Sequence, residues 1–320
     1  MPFFKRSLLI LTTIFIQMSS KPILVTGTHR SGTTWVGQML SLDKHVLYIH
    51  EPFNILLQSE RGRAVPLDKW YEDVSFYEDN KQFAIYRYLL GFQSLTPKNI
   101  FKNSYKRQAF ASLNWIKRKI FPGSRFLYKD PLALLSAPWF HQKMSAEVIV
   151  LIRHPAAFSA SLKVKGWNFP FNDLASQESI MTNIPQVLRE GVLMFASERP
   201  GIIEQACLLW NILHHYILSY QDKYPGWIFI RHEDLSRSPV TQFHSLYDAL
   251  GLKFTKSIEQ KIINSSQGNK RIKSDKVNTL KRDSNSNITN WKKILTPQEI
   301  TFIKAATESV CEKFYTEEDW

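Results

Sequence analysis

The stretch ILVTGTHRSGTT, Ile23 to Thr34, constrains the fold more than any other part of the chain. Ile23–Thr26 reads as a strand buried on both faces, glycines at 27 and 32 frame a tight loop, and the apolar spacing after Thr33 predicts a helix to about Leu42. A strand that passes through a glycine-framed turn into a helix is the opening unit of a parallel α/β sheet. The alternation continues downstream. Val46–Ile49, Arg125–Lys129, Val148–Ile152 and Trp227–Ile230 read as strands, with the last two as buried ones. Helical spacing runs over Gln82–Gly91, Lys106–Phe121, Pro131–Lys143, Pro155 to about Lys165, Gly201–Tyr220 and Ser238–Leu250, where Gly251 supplies a stop. Thr296-Pro297-Gln298-Glu299 is a capping box with proline at the first helical position. It opens a last helix with Ile300, Ile303, Val310 and Phe314 on its buried face. The fold class expected is α/β, a central, mainly parallel sheet with helices on both faces, in one domain over residues 21–320.

Charge narrows the choice of partner. A net charge of +13 on 320 residues points to an anionic ligand: nucleotide, nucleic acid, acidic glycan or membrane surface. Nucleic acid is not favoured, since the sequence has no arginine-rich tract, zinc spacing or RNA-binding signature. Cys207 and Cys311 are too few for a disulfide framework. The nine histidines are scattered and form no metal constellation. At the N-terminus Lys5–Arg6 precede Ser7–Met18, an apolar run of signal-peptide length and short for a bilayer span. Residues 1–20 therefore stand as an N-terminal segment, packed or disordered, with a signal or weak membrane anchor left open. The compartment expected is the cytoplasm, with membrane association or export as the alternative.

The loop itself is a phosphate binder by pattern. Gly27, four residues and Gly32 reproduce the P-loop spacing G-x-x-x-x-G-K-[ST], but Thr33 stands where the lysine belongs and Thr34 where the Ser/Thr belongs. Backbone N–H groups at such a turn converge where the helix dipole also favours an anion. The hydroxyls of Ser31, Thr33 and Thr34 add donors, and Arg30 supplies the positive charge from inside the loop. The plainer reading of the same residues is a tight strand–helix turn with capping hydroxyls.

THRSGTTWVGQML resembles the 5′-phosphosulfate loop of the sulfotransferases that use 3′-phosphoadenosine 5′-phosphosulfate (PAPS), in which Lys or Arg precedes Ser-Gly-Thr-Thr and Trp often follows. The resemblance implies a P-loop-like nucleotide-binding architecture. It places Arg30 on the sulfuryl and 5′-phosphate oxygens, Ser31, Gly32, Thr33 and Thr34 around the phosphate, and Trp35 near the adenine. It also accounts for the missing lysine, because PAPS has no β/γ-phosphate pair and requires no Mg²⁺. VIVLIRHPAAFSASLK is similar to the family's 3′-phosphate site, with Arg153 at a strand end and Ser161 eight residues later on a helix. Ser159 is an alternative to Ser161, and for Arg153 alone an ordinary salt bridge is the competing reading.

Three further segments and a basic flap extend the resemblance, which runs from about Pro22 to Phe314 but is absent between about Asn54 and Asn114, where acceptor contacts are expected. YKDPLAL resembles the Lys-containing segment after the third core strand, which implies that Lys129 steadies the transferring sulfuryl group and leaves Asp130 as base or helix cap. YIHEPFN looks like the Glu-Pro segment of carbohydrate-type members and suggests Glu51 as general base. The phenol and steroid enzymes use a His in a Lys-Thr-His segment, which this chain lacks, so the base stays open among Glu51, His50 and Asp130. FIRHEDLSRSP resembles a Tyr-Glu-Asp-Leu segment with His232 in the tyrosine position, and Glu233 and Asp234 read as structural caps. Residues 256–293 are rich in Lys, Ser and Asn. They read as a basic flap over an anionic ligand, and LKRDSNSNITNWKKILT resembles the family's C-terminal flap over the nucleotide, with Arg282 and Ser284 as candidates for the 3′-phosphate or adenine. The implied enzyme is a PAPS-dependent sulfotransferase without a metal, acting on the hydroxyl of a small molecule, glycan, glycolipid or other alcohol. Two other readings remain at this level: a P-loop kinase or hydrolase, which would lack its lysine and an evident Walker-B acid, and a non-catalytic, basic glycan- or membrane-binding protein of the same fold.

Overall fold

The structure is a computed structural model and describes residues 20–60, 65–91, 123–266 and 288–320. Five strands form one sheet: β1 (Ile23–Gly27), β2 (Val46–His50), β3 (Arg125–Lys129), β4 (Glu147–Ile152) and β5 (Ile228–Arg231). Their order is β2-β3-β1-β4-β5, and all four pairings are parallel. β1 lies at the centre, with Ile23, Leu24 and Val25 fully buried. After β1 the chain crosses to β2 at one edge, while β4 lies on the other side of β1. The carboxyl ends of β1, β3 and β4 therefore bound a topological switch point, where a parallel sheet opens a crevice for ligand.

The near-continuous apolar runs divide between two core layers, because alternate residues of a strand face opposite ways. Val148, Val150 and Ile152 face one layer, and Ile149 and Leu151 the other. Helix α1 (Thr33–Leu40) covers the second face through Val36, Met39 and Leu40. The first layer is filled largely by the later helix of Ile202–Lys223, whose Leu209, Trp210 and Leu213 are fully buried.

The helices between these landmarks are α2 (Ile55–Glu60), α3 (Asp79–Gly91), α4 (Ala137–Met144), α5 (Pro155–Lys165), α6 (Asn172–Ala175), α7 (Glu178–Asn183), α8 (Gln186–Ser197) and α9 (Ile202–Lys223). After β5 come α10 (His232–Arg237), α11 (Pro239–Ala249), α12 (Lys256–Ser266) and α13 (Pro297–Cys311). The region of α6 to α8 carries no element in the sequence reading. Among the described residues no helix is long and apolar enough to cross a membrane.

Several expectations need correction. The helix expected over Pro131–Lys143 is a 3₁₀ turn, Pro131–Ala133, followed by α4. Pro138 explains the break: inside a continuous helix its ring would strike the carbonyl four residues back, whereas at the start of α4 it is harmless. The strand read as buried at Trp227–Ile230 is the edge strand β5, paired only with β4, and within it only Ile230 is buried. The flap expected from residue 256 does not begin there. Lys256–Ser266 is helix α12, anchored by buried Ile258 and Ile262 one turn apart, and Trp291 near the segment's other end is also buried. The last helix has the capping box, with Thr296 Oγ1 accepting from Glu299 N at 3.2 Å, but it ends at Cys311, before Phe314. Its fully buried member is Ile303, while Ile300, Val310 and Phe314 are half-buried. The N-terminal run Ser7–Met18, the helix expected at Lys106–Phe121, and Arg282 and Ser284 lie outside the described residues.

The end of β1 is the tightest point of the sheet. Gly27 has φ 139°, and a Cβ there would lie 2.3 Å from the carbonyl oxygen of Leu151, its partner in β4. Gly27→Ala should therefore cost about 3 kcal/mol or more of stability, the combined price of a forbidden φ and a backbone clash. Urea unfolding measures it, and a loss below about 1 kcal/mol would show that β4 can yield.

Candidate active site

A cleft of about 760 Å³ opens at the carboxyl ends of the central strands. One wall is the loop between β1 and α1. Two loop residues hold left-handed backbone, Arg30 at φ 66° and Gly32 at φ 93°. Gly32 is required twice over, because a Cβ would also lie 2.5 Å from Cδ2 of His232, which packs across the loop. Ser31 Oγ donates to the Thr28 carbonyl at 2.6 Å, and Ser31 N bonds the same oxygen at 3.2 Å. The Ser31 side chain is fully buried, so it shapes the loop from inside and does not face the cleft as expected.

Gly32, Thr33 and Thr34 do line the cleft. Their backbone N–H groups find no acceptor among the described residues, and no side chain caps α1. Unmatched N–H groups at a helix start, with the dipole behind them, form a seat for an anion. Trp35 lines the same wall, held by Nε1 donating to Ser265 Oγ at 3.0 Å and by an edge contact with Phe243.

The two motifs, more than a hundred residues apart, meet. Arg30 Nε donates to Ser161 Oγ at 2.9 Å, and Arg153 donates from its guanidinium to the Arg30 carbonyl. The Arg153 carbonyl in turn accepts from Trp210 Nε1 at 2.8 Å, which ties the strand end to α9. Arg30 and Arg153 both line the cleft. Ser159, the alternative to Ser161, does not line the cleft: its side chain is buried against Cys207.

Facing this cationic wall is the end of β2. Glu51 has φ 46° and is held by its own backbone: its N–H donates to the Lys129 carbonyl at 2.8 Å, and its carbonyl accepts from Gln58 Nε2 at 2.8 Å. Its carboxylate is bonded by the Lys129 ammonium and by Asn54 Nδ2 at 2.8 Å, with His50 Nε2 3.8 Å away. Burial pushes the Glu51 carboxyl up, but Lys129, then His50 and the hydrogen bonds, outweigh it and leave the group below the usual carboxylate range. Lys129 is wholly buried and lies beneath Glu51, which is the member of the pair that lines the cleft.

Asp130 is not at the cleft surface. It is fully buried and accepts from Phe53 N at 2.5 Å and Leu132 N at 3.0 Å, capping the 3₁₀ turn. Burial and the neighbouring Glu51 push it up to about 8, against those two N–H bonds and Lys129. Of the two roles open to it, Asp130 fills that of the helix cap. Glu233 and Asp234 are structural too, but as ties between elements more than as caps. Glu233 accepts from His154 N at 3.1 Å and Tyr315 Oη at 2.9 Å, and Asp234 pairs with Arg231 at 2.8 Å.

Sequence reasoning missed the far arm of the cleft. His29, Trp70, Leu162, Trp167 and Phe169 line it, and the Arg30 guanidinium sits 5.7 Å from the Trp167 ring centroid. His29 stood inside the quoted loop and could have been weighed there. Nothing local in the sequence marks Trp70 and Trp167 as neighbours.

Removing one member of a buried ion pair strands the other. Lys129→Met should cost about 3–5 kcal/mol, and adding Glu51→Gln should restore much of that loss. Urea unfolding of the wild type, the single variants and the double variant measures the coupling, and additive losses would deny it. Because Glu51 titrates lower in the folded chain than its ordinary 4.5, its contribution is complete above that pH and is lost as pH falls through the folded value. The gap between wild type and double variant should shrink accordingly below about pH 4.5.

Residues 22–256 match the model described as the sulfotransferase family. No curated protein matches the chain. Among solved structures, the sulfotransferase domain of a Synechococcus olefin synthase is 17% identical, covering 93% of this chain and 95% of its own, with a TM-score of 0.47. A mouse sulfotransferase complexed with PAP is 13% identical over 93% of this chain and 86% of that one, TM-score 0.45. A sulfotransferase of Mycobacterium avium is 14% identical over 93% and 78%, TM-score 0.44. With the family model spanning well over half of the sequence, the chain belongs to the sulfotransferase family and has an α/β fold.

Proposed function

We propose that residues 21–320 work as one domain that moves the sulfuryl group of PAPS to the hydroxyl of an alcohol with an apolar or ring face, sugars and glycolipids included. The observation that carries this reading is the pairing, across one cleft, of an anion seat at the start of α1 with the buffered carboxylate of Glu51. The acceptor class rests on the far arm, where Trp70, Trp167 and Phe169 offer flat apolar surface beside the polar ends of Asn54 and Asn168. Rings and aliphatic bodies bury well against such walls, and a few polar groups fix their orientation.

The donor set fits the nucleotide. The N–H groups of Gly32, Thr33 and Thr34, the threonine hydroxyls and Arg30 would hold the 5′-phosphosulfate, and Arg153 with Ser161 the 3′-phosphate. Trp35 lies beside them for the adenine. PAPS supplies the electrophilic sulfuryl group and an anionic leaving group. Glu51 accepts the proton of the acceptor hydroxyl as its oxygen bonds to sulfur. Neutralising Glu51 frees the Lys129 ammonium at the moment negative charge shifts toward the departing nucleotide, so that Lys129 and Arg30 stabilise the charge where it develops.

The reading is tested by calorimetry without metal. The protein should bind 3′-phosphoadenosine 5′-phosphate (PAP) in preference to Mg-ATP, and the reverse preference would overturn it. Incubation with labelled PAPS and a small-molecule and lipid extract should then label an alcohol. Glu51→Gln should leave PAP affinity unchanged and lower turnover roughly 10²–10⁴-fold. Asp130→Asn should act on stability, since an amide cannot accept both N–H bonds of the cap. If Asp130→Asn abolishes turnover in folded protein while Glu51→Gln retains it, the base is misassigned.

A further inference from the structure

His29 has an unusual setting for a residue of a phosphate loop. Its ring is enclosed by aromatic side chains: Phe158 at 5.1 Å, Tyr71 at 6.0 Å, and Trp70 and Trp167 each at 6.2 Å between centroids. Tyr71 is fully buried and touches His29 twice. Its hydroxyl accepts from the His29 backbone N–H at 2.9 Å and lies 2.7 Å from Nδ1.

These contacts settle where the protons are. A buried phenol must place its single proton on an acceptor. Among the described residues the only acceptor within reach of Tyr71 Oη is His29 Nδ1. Nδ1 is therefore the accepting nitrogen, and the neutral ring carries its hydrogen on Nε2. A second proton at Nδ1 would leave the phenol proton without a partner. The charged groups facing the ring are Arg30, which opposes an imidazolium, and Glu51, which favours one; burial opposes it most, and the value falls to about 3.

The chain goes to some length to hold Tyr71 there. Tyr71 has φ 54°, a strained backbone for a bulky residue. Its loop is fastened on both sides: Trp70 N donates to Asp173 at 2.8 Å, Asp73 N to Gln177 at 3.0 Å, and buried Glu72 accepts from Asp68 N at 3.0 Å. Strain that the surroundings over-determine in this way gathers where geometry serves function.

We propose that His29 is a further residue of the transfer site: a neutral imidazole, locked by Tyr71, whose Nε2–H donates to an oxygen of the sulfuryl group. The location follows from the cleft. His29 immediately precedes Arg30 and the anion seat, and its ring faces the aromatic arm. The reacting sulfur has to lie where those two parts meet. A neutral donor there orients the sulfuryl group and competes for no proton with Glu51. The inference rests on PAPS being the donor.

Two measurements on the full chain test it. Calorimetry compares PAP with PAPS, which differ only by the sulfuryl group. His29→Phe should weaken PAPS by about tenfold or more, the worth of a hydrogen bond to a charged group, while PAP affinity stays within about twofold. Tyr71→Phe should weaken PAPS selectively as well, by a smaller factor. In wild-type protein labelled with ¹⁵N-histidine, the imidazole assigned through His29→Gln should show the neutral Nε2–H tautomer from pH 5 to 9, and its Nε2 resonance should move with PAPS more than with PAP. The proposal is overturned if His29→Phe affects both nucleotides equally or neither. It also fails if the ring titrates in that range, carries its hydrogen on Nδ1, or responds to PAP as to PAPS. Wild-type protein that binds neither nucleotide would sink the donor assignment first, and this proposal with it.

Discussion

An ammonium group sealed from water has to find its counter-charge within hydrogen-bond reach, and the site is organised around that demand at Lys129. Lys129 ends the strand beside β1, with no exposed surface. The carboxylate that balances it belongs to Glu51, at the end of the edge strand β2. Bringing the two together forces Glu51 into left-handed backbone, and that conformation is held by Lys129 O, by Gln58 and by the Asn54 turn. The same pairing keeps a carboxylate charged at the mouth of the cleft while withholding it from solvent. The stability of the strand ends and the charge of the cleft carboxylate are thus one interaction seen from two sides.

The cationic wall is assembled by the opposite logic. Arg30 and Arg153 are neighbours of like charge, and each is partly occupied by neutral acceptors: a serine hydroxyl for one, a backbone carbonyl for the other. Such bonds fix direction, and both guanidinium groups line the cleft. Among the described residues, four non-glycine residues have positive φ: Arg30, Glu51 and Tyr71 stand at this site, and Ser145 merely ends a helix. Backbone strain has been concentrated where the ligand goes.

How much of this was legible in the sequence depended on the range over which each feature is encoded. The loop and the 3′ motif were legible because each is a local program of strand, turn and helix start, and the turn residues are dictated within a dozen positions. All five strands were read for the same reason. The division of labour inside the motifs was not. Ser31 looks like a ligand until its hydroxyl is seen to close the loop on Thr28, and Asp130 looks like a base until Phe53, 77 residues away, is seen to bind it. The break at Pro138 is encoded locally, since a proline there cannot continue the preceding turn as a helix. At Lys256–Ser266 the Lys, Ser and Asn composition suggests a loop, but Ile258 and Ile262 are enough to seat a helix.

The aromatic arm shows the limit most clearly. Trp70 and Trp167 are nearly a hundred residues apart, yet both pack on His29, and the loop that carries Trp70 is fastened to α6 through Asp173. No periodicity or motif encodes that meeting, since it exists only after β1 has placed the phosphate loop and α5 has returned the chain past it. In a fold of this kind the nucleotide half of the site is carried by the strand–loop–helix units that build the sheet. The aromatic arm is carried by connections between them, whose sequences are free to vary as long as the sheet stands. The first half is therefore legible from local sequence, and the second only from the folded chain.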